Sequence, residues 1–432
     1  MILSIRALST LAFSLALFNP SPAACADAPP VSVFPPDLAA LAASAPAVPA
    51  AGKPAAADWT VLYFINGKNN LESSALMDMN QLELVGSTEK VKIVVEMGRM
   101  NGQHEGDDHA ESDWTGVRRY LVTKDQDTNL INSPVLMQRA KYDMGDWKEL
   151  AAFINWAKRA YPARRYALVL WDHGNGWMPV DPVNAHDFDN IKGFSLDDET
   201  GHEFSTIQIG AALKASGGVN FLMLDGCNMQ MASVAYELKD YAEALTASEE
   251  FEPGVLVRYA QFLGMLNAKP WMGAEEFAAN TVSTYGDFFE AGGYNEGAPM
   301  TQSALRLSQL VPFRAKLDAW AAEAVKAEPR ALRHALKKAR IYGDEPSYKD
   351  LYDFVELVGA ATANQRLKAL GAEVMRSLKS DLVISNWAQD KVSHGLAIYI
   401  PQDYDPLYDK LAWSRDGAWD DFAKFIAANY KE

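Results

Sequence analysis

Short apolar runs alternate with helical patterns from residue 59 onward, and this alternation most constrains the fold. Runs such as WTVLYFIN (59–66), YALVLW (166–171) and VNFLML (219–224) are typical of strands buried on both faces. The segments between them have helical spacing, and Asp146 precedes one of these as a candidate N-cap. The pattern predicts an α/β fold with a mostly parallel central sheet covered by helices on both faces.

Helical patterns dominate beyond about residue 300. One apolar run, GLAIYIP (395–401), interrupts them and is predicted to be a strand. We therefore expect an α/β domain over residues 59–300 and a mainly helical C-terminal subdomain over residues 301–432. The strand of this subdomain is predicted either to return to the sheet or to form a small hairpin.

The N-terminus has the features of an export signal. A short apolar core at residues 7–18 is followed by small residues, and cleavage after Ala26 would leave an Ala/Pro-rich linker over residues 27–58. The apolar core is too short for a stable membrane anchor. Lipidation at Cys25 is the alternative, although Pro22 stands where such sites prefer a larger aliphatic residue. We expect an exported protein (periplasmic, cell-surface or secreted) with no membrane span.

The net charge and the cysteine content restrict the range of possible functions. The formal net charge of −16 argues against nucleic acid as a partner, because phosphate binding needs a basic face. The chain has two cysteines, Cys25 and Cys227, and Cys227 stays unpaired whichever way the N-terminus is processed. Exported proteins usually pair their thiols or avoid them. A buried apolar cysteine is the ordinary explanation, so the surroundings of Cys227 matter.

Two predicted strands end in residues that carry chemistry. One ends in WDHG, with His173 and Gly174, and the next ends in LDGC, with Asp225 and Cys227. In an open parallel sheet, functional residues collect just beyond the carboxyl ends of the strands. One loop, one helix and one strand separate the two ends, which suits a crossover between near neighbours. His173 and Cys227 are therefore predicted to project from the same edge of the sheet.

A thiol and an imidazole at one edge suit nucleophilic catalysis. The imidazole can hold the thiolate as an ion pair or act as a general base. The helix predicted directly after Cys227 would favour negative charge on the sulfur. The backbone N–H groups of Gly174 and Cys227 are candidates for an oxyanion hole. Taken singly, His173 is better explained as a loop histidine and Cys227 as a buried residue; together they favour a Cys–His dyad.

Five blocks in the same order carry a resemblance to a known family. The chain reads TVLYFINGKNNLE, RRYALVLWDHGNGW, LDGCNMQMASVAYEL, LTASEEFEPG and HGLAIYIP, which resembles the clostripain-like cysteine peptidases of the caspase-like fold group. The resemblance implies a caspase-like αβα sandwich, with Cys227 as nucleophile and His173 as base. It also implies cleavage after Arg or Lys at P1, the residue whose carbonyl carbon is attacked.

Several carboxylates are candidates for binding a basic P1 side chain. Asp225 lies two residues before Cys227, on the same side of the strand, although it could equally cap the following helix. Ser248, Glu249 and Glu250, at the end of the next predicted strand, are further candidates for substrate binding. The alternative for this second group is a solvated loop.

The chain departs from the family pattern at three places. Lys68 stands where relatives carry Asp, Ser233 stands where they carry Glu, and VLVRY (255–259) replaces a Gly- and aromatic-rich run. Some relatives depend on calcium, but the acidic loop 187–201 lacks the spaced ligands and turn glycine of an EF-hand. We therefore expect no required cofactor and assign no metal ligands; calcium is possible, but no clear motif supports it. A solvated loop is the better interpretation of 187–201.

Three further features of the sequence each carry a prediction. Lys192 is a candidate for self-cleavage, because relatives are often activated after a basic residue near the site. His394 forms a second His-Gly pair, but it precedes its strand and is expected at the opposite edge of the sheet, away from catalysis. A cluster of His104, Asp107, Asp108 and His109 could bind a metal, but we expect a surface segment.

The sequence thus predicts an exported cysteine endopeptidase, monomeric, that acts on peptide or protein substrates after Arg or Lys. The alternative is a catalytically silent caspase-like scaffold that binds peptides or surface partners. Hydrolysis of a non-peptide amide is a third interpretation.

Overall fold

The computed structural model describes residues 56–430 except 103, 105, 179–192, 255–257, 294–298 and 344. The predicted signal peptide, Cys25 and nearly all of the linker lie outside this range. The described strands, in chain order, are β1 (Ala57–Gly67), β2 (Val91–Arg99), β3 (Gly116–Leu121), β4 (Val135–Arg139), β5 (Ala163–Trp171), β6 (Phe194–Asp197), β7 (His202–Phe204), β8 (Phe221–Asp225), β9 (Ala244–Ala247), β10 (Thr301–Arg306), β11 (Ile341–Tyr342), β12 (Glu345–Asp350), β13 (Val383–Ala388) and β14 (Ala397–Tyr399).

Helices connect and flank these strands. They are α1 (Glu72–Glu83), α2 (Trp147–Ala160), α3 (Thr206–Ala215), α4 (Ala232–Leu238), α5 (Tyr259–Ala268), α6 (Ala274–Glu290), α7 (Leu310–Ala324), α8 (Pro329–Lys338), α9 (Leu351–Ala361), α10 (Gln365–Ser377), α11 (Ala412–Asp416) and α12 (Trp419–Asn429). The predicted N-cap at Asp146 is present, since its side chain accepts a hydrogen bond from the Lys148 backbone N–H. The pattern-based prediction of this helix is therefore confirmed in type and start.

The main sheet has nine strands in the order β13-β10-β9-β8-β5-β1-β2-β3-β4. Its five central strands, β9 to β2 in that order, run parallel, whereas both edges are completed by antiparallel strands. Parallel neighbours need crossover connections, and α1 to α4 lie in those connections. The predicted central parallel sheet is thus confirmed.

Alternation along the central strands fills two cores. Leu62, Leu168 and Leu222 face one side of the sheet, where α2, α3, α4 and C-terminal helices pack. Their neighbours Val61 and Val169 face the other side, together with side chains of α1, α5 and α6. All five side chains have at most 1% of their surface exposed. Because successive residues of a strand point to opposite faces, a continuous apolar run supplies both cores.

The chain beyond residue 300 contributes to the main sheet. β10 pairs with β9, and β13 pairs with β10, both antiparallel. The run SALRLSQLV, predicted to be helical from its start, is strand up to Arg306, and helix α7 begins only at Leu310. The predicted strand at 395–401 is present as β14, but it pairs with β12 in a separate three-stranded sheet. Strand pairing therefore crosses residue 300.

No helix within the described part of the chain combines the length and the apolar character that crossing a bilayer requires.

Candidate active site

The ends of β5 and β8 lie side by side. Trp171 pairs with Asp225 as the last pair of the two parallel strands, and the Asp172 backbone N–H donates to the Asp225 carbonyl at 3.2 Å. His173 and Cys227 each follow two residues after that pair. The structure therefore places both at one edge of the sheet, in neighbouring loops, as the sequence predicts.

Two glycines allow these loops to touch. A Cβ atom added to Gly174 would lie 2.7 Å from the Cys227 carbonyl oxygen, and one added to Gly226 would lie 2.5 Å from the Asp172 carbonyl oxygen. Both distances are shorter than non-bonded atoms tolerate, so a side chain at either position would push the loops apart. The glycine after His173 is thus required by the close approach of the Cys227 loop.

His173 is held by a neutral partner. Its Nε2 atom lies 2.6 Å from Asn70 Oδ1, and because an amide oxygen only accepts, Nε2 carries the proton and Nδ1 is the basic nitrogen. The His173 backbone N–H donates to Asp172 Oδ1 at 2.7 Å. Burial lowers the pKa of His173 to about 4, so the ring is neutral at neutral pH. A neutral imidazole is the form that accepts a proton.

Cys227 is half-buried and touches the backbone of Glu252. The Glu252 N–H lies 3.3 Å from Sγ, and Sγ lies 3.8 Å from the Glu252 carbonyl oxygen. An N–H donor at the sulfur stabilises its thiolate form. Helix α4 begins at Ala232, after a turn with Asn228 at a φ of 59°, so the predicted helix N-terminus directly after Cys227 is wrong. The sulfur is supported by Glu252 instead.

Sequence reasoning did not single out Asn70 or Glu252. Asn70 belongs to the GKNN segment, which stood out only because Lys68 departs from the family pattern. Glu252 follows Glu249 and Glu250 in ASEEFEPG, and no local pattern distinguishes the three carboxylates. Their contacts with His173 and Cys227 depend on tertiary packing.

Asp225 is buried and already has partners. The Arg258 Nη2 atom lies 2.6 Å from Asp225 Oδ1, and the Tyr259 hydroxyl donates to Asp225 Oδ2. Burial raises the pKa of Asp225, but the Arg258 guanidinium and the hydrogen bonds from Glu252 and Tyr259 together outweigh it and hold the pKa below its usual range. Asp225 is therefore an ionised carboxylate paired with an internal arginine. The expected alternative, a cap on the following helix, is excluded because the Ala232–Leu238 helix has no side-chain cap.

Glu249 and Ser248 are completely buried. Glu249 Oε1 accepts hydrogen bonds from the Tyr342 hydroxyl and the Gly395 backbone N–H, each at 3.1 Å. Ser248 Oγ lies 3.1 Å from Thr301 Oγ1. Burial and the neighbouring Asp350 carboxylate raise the pKa of Glu249 well above its usual range. The solvated-loop alternative is wrong for these residues, because they join β9 to the C-terminal part of the chain.

Glu250 also binds groups in the C-terminal part of the chain. Its Oε1 atom accepts from the Gly343 N–H at 2.7 Å, and its Oε2 atom lies 2.7 Å from Arg340 Nη2. The side chain is 3% exposed. Glu250 thus anchors the β11–β12 region, and its role in substrate binding stays a prediction.

Lys68 forms ion pairs with carboxylates of the acidic loop 187–201. Its Nζ atom lies 2.7 Å from Asp197 and 2.8 Å from Glu199, and it also donates to the Tyr142 carbonyl oxygen at 2.7 Å. A buried cation is thus paired with two carboxylates of the segment considered for calcium. Lys192, the candidate for self-cleavage, lies outside the described residues.

The second His-Gly pair lies near the same edge, so its expected position at the opposite edge is wrong. Gly395 donates to Glu249, which follows β9, and β14 forms a bridge with Met231. The His394 ring stacks on Tyr352, with centroids 4.2 Å apart, and its Nδ1 lies 3.1 Å from Asp350 Oδ1. His394 therefore belongs to a separate ion pair.

The His104 segment packs against α1. Glu72, His104 and Asp107 offer ligand atoms within 4.8 Å of one another. Glu72 Oε1, however, already binds Arg99 Nη2 at 2.7 Å. Part of the segment that sequence analysis treated as surface thus adjoins a buried ion pair.

A family model matches most of the chain. The model of the clostripain family, a peptidase family, aligns with residues 63–425. The chain belongs to the clostripain family. This range includes β5, β8 and the loops that carry His173 and Cys227.

A curated relative supports the assignment over a shorter range. Clostripain of Hathewaya histolytica is 23% identical over 226 residues, which is 48% of this chain and 42% of that protein. The match thus spans less than half of that relative.

Solved structures define the fold of this family member. A secreted cysteine protease from Bacteroides thetaiotaomicron is similar with a TM-score of 0.64 and 15% identity, covering 84% of this chain and 99% of that one. An inactive zymogen protease from Parabacteroides distasonis matches with a TM-score of 0.60, 17% identity and the same coverage. A secreted protease from Bacteroides thetaiotaomicron bound to an irreversible peptide inhibitor matches with a TM-score of 0.56 and 20% identity, covering 87% and 99%. The predicted caspase-like αβα sandwich is confirmed.

Proposed function

We propose that this clostripain family member is an exported cysteine endopeptidase with a Cys–His dyad. The observation that carries the proposal is the contact between the loops after β5 and β8, where Gly174 packs against the Cys227 carbonyl. Cys227 is the nucleophile and His173 the general base. The side-chain roles follow from the neutral state of the His173 ring and the hydrogen bond from Glu252 to the sulfur.

The proposed reaction uses the neutral imidazole of His173 as the proton acceptor. As the Cys227 sulfur attacks the scissile carbonyl carbon, the thiol proton passes to His173 Nδ1, and the Glu252 N–H stabilises charge on the sulfur. The C–N bond then breaks, and His173 gives the proton to the leaving amine. Water next attacks the thioester with His173 as base, which releases the acid product and regenerates the thiol.

Two positioning elements support this step. Asn70 fixes the His173 ring in the tautomer that leaves Nδ1 basic. The backbone N–H groups of Gly174 and Cys227 are proposed to bind the oxyanion, and the absence of a side chain at Gly174 lets the two loops that carry these groups approach each other. No metal ion or cofactor enters the scheme.

The proposed P1 preference is for Arg or Lys. It is supported by Asp225, an ionised and buried carboxylate two residues before the nucleophile. Substrates are peptides or proteins, and the enzyme acts as a monomer. Export is proposed from the N-terminal sequence, and Lys192 stays the candidate for self-cleavage.

Turnover of fluorogenic peptide amides tests the proposal. Wild type and Cys227→Ala are compared on substrates with Arg, Lys, Asn or Asp at P1, under freshly reducing conditions. We expect cleavage by wild type, none by Cys227→Ala, and the highest kcat/KM among the basic substrates. Absence of cleavage by folded wild type on the whole panel would instead favour the silent peptide-binding scaffold.

A further inference from the structure

An internal cation, Arg258, contacts the buried carboxylates Asp225 and Glu252 beside the nucleophile. We propose that Arg258 occupies the position that a basic P1 side chain would take, so that P1 Arg or Lys enters only by displacing Arg258. This inference rests on the proposed peptidase function and concerns the specificity site of the same centre. It makes Arg258 an intramolecular competitor of the substrate.

The contacts of Arg258 are those expected for a bound guanidinium ligand. Its Nη2 atom lies 2.6 Å from Asp225 Oδ1 and 3.3 Å from Glu252 Oε2. Its guanidinium carbon lies 4.6 Å from the centroid of the Tyr285 ring. None of the side chain is exposed. Two carboxylates and an aromatic face are the groups that recognise a planar cation.

The cation site adjoins the nucleophile directly. Glu252 connects the two, since its backbone N–H lies 3.3 Å from Cys227 Sγ and its carboxylate lies 3.3 Å from Arg258. Asp225 is two residues before Cys227 in the chain. Because the P1 residue carries the carbonyl that the sulfur attacks, a cation site joined to the sulfur by a single residue, Glu252, is a candidate for the P1 site.

Arg258 lies against the ionised member of the site. Its guanidinium helps to hold the pKa of Asp225 below its usual range, whereas burial and the Asp225 charge raise the pKa of Glu252 well above its usual range. Arg258 therefore already meets the negative charge of Asp225. Exchange of Arg258 for a P1 guanidinium would conserve the charge beside Asp225.

Selectivity between two P1 side chains tests the proposal. Wild type and Arg258→Ala are assayed on otherwise identical peptide amides with Arg or norleucine at P1. Removing Arg258 should raise the Arg:norleucine ratio of kcat/KM by about tenfold or more, because Asp225 becomes available to the substrate. If the ratio is unchanged or lower while norleucine turnover is retained, Arg258 is a fixed counter-ion of Asp225 and the proposal is overturned.

A second pair of variants keeps the test decisive if Arg258→Ala does not fold. Arg258→Gln retains a hydrogen-bonding side chain without the charge, and Asp225→Asn/Arg258→Gln removes both charges, with folding checked by thermal unfolding. We expect Arg258→Gln to gain P1 Arg selectivity and the double variant not to. A gain in both variants would contradict the proposal, because it would not depend on Asp225.

The wild type supplies an independent measurement. A chloromethyl ketone peptide with P1 Arg should alkylate Cys227 less than about tenfold faster than its norleucine analogue, whereas a preference above about 10²-fold would contradict a filled site. Failure of the peptidase function gives a different result. In that case neither wild type nor any folded Arg258 variant would cleave either substrate.

Discussion

The two His-Gly pairs of this chain differ in the partner of the ring. His173 contacts the neutral amide of Asn70, and burial lowers its pKa to about 4. Burial would lower the pKa of His394, but the buried carboxylate of Asp350, which its ring contacts, together with Asp353 and Glu356 outweighs burial and raises the pKa. The same dipeptide therefore supplies a neutral base in one place and one member of an ion pair in the other. The partner of the ring, more than the local sequence, distinguishes a catalytic candidate from a structural histidine.

Replacing each histidine tests this comparison most directly. His173→Ala should lower kcat/KM by about 10²- to 10⁴-fold, because the proton transfer loses its base. His394→Ala should retain most activity, since its ring binds Asp350 and stacks on Tyr352. Steady-state kinetics on a P1 Arg substrate gives both values. If His394→Ala abolished turnover and His173→Ala did not, the assignment of the base would be reversed.

The glycine after His173 offers the next largest effect. Gly174→Ala places a Cβ atom 2.7 Å from the Cys227 carbonyl oxygen and 3.0 Å from Met229 Sδ, which should cost about 1–3 kcal/mol of unfolding free energy and lower kcat. Gly264→Ala is the matched control. An added Cβ at Gly264, in helix α5, meets nothing within 4 Å and should leave kcat unchanged and stability equal or slightly higher. Urea unfolding and kcat measure both effects, and equal behaviour of the two variants would refute the close-approach argument.

The sequence predicts the central sheet and the shared edge of His173 and Cys227 well. Apolar runs ended by polar residues and glycines determine where β5 and β8 stop, and parallel pairing then brings His173 and Cys227 together. The antiparallel edge was harder to predict, because SALR (303–306) in β10 has the composition of a helix. The partners of Asp225 and His394 could not be predicted. Arg258 and Asp350 reach them through tertiary packing, which leaves no periodic signal in the sequence.

Asn70→Asp should make the surroundings of His173 resemble those of His394. A carboxylate beside Nε2 favours the protonated ring and should raise the pKa of His173 by about one unit or more. The acid limb of the kcat/KM profile, expected near pH 4 in wild type, should move up by the same amount. Asn70→Ala, which removes the partner without adding charge, should lower kcat and leave the limb where it is. An unshifted limb in Asn70→Asp would show that Asn70 does not control the ionisation of His173.

The pH dependence of stability compares the same two histidines without a substrate. Because the folded-state pKa of His173 lies below its unfolded value of about 6.5, the unfolded chain binds more protons between about pH 6.5 and 4, and His173 lowers stability as pH falls through this window. His394 acts in the opposite sense. Its raised pKa contributes stability below about pH 6.5 that is lost as pH rises through the folded-state pKa. Urea unfolding of His173→Gln and His394→Gln at several pH values between about 4.5 and 8 separates the two contributions. Relative to wild type, His173→Gln should gain stability toward acid and His394→Gln should lose it, whereas parallel curves would mean that the two environments do not differ in charge preference.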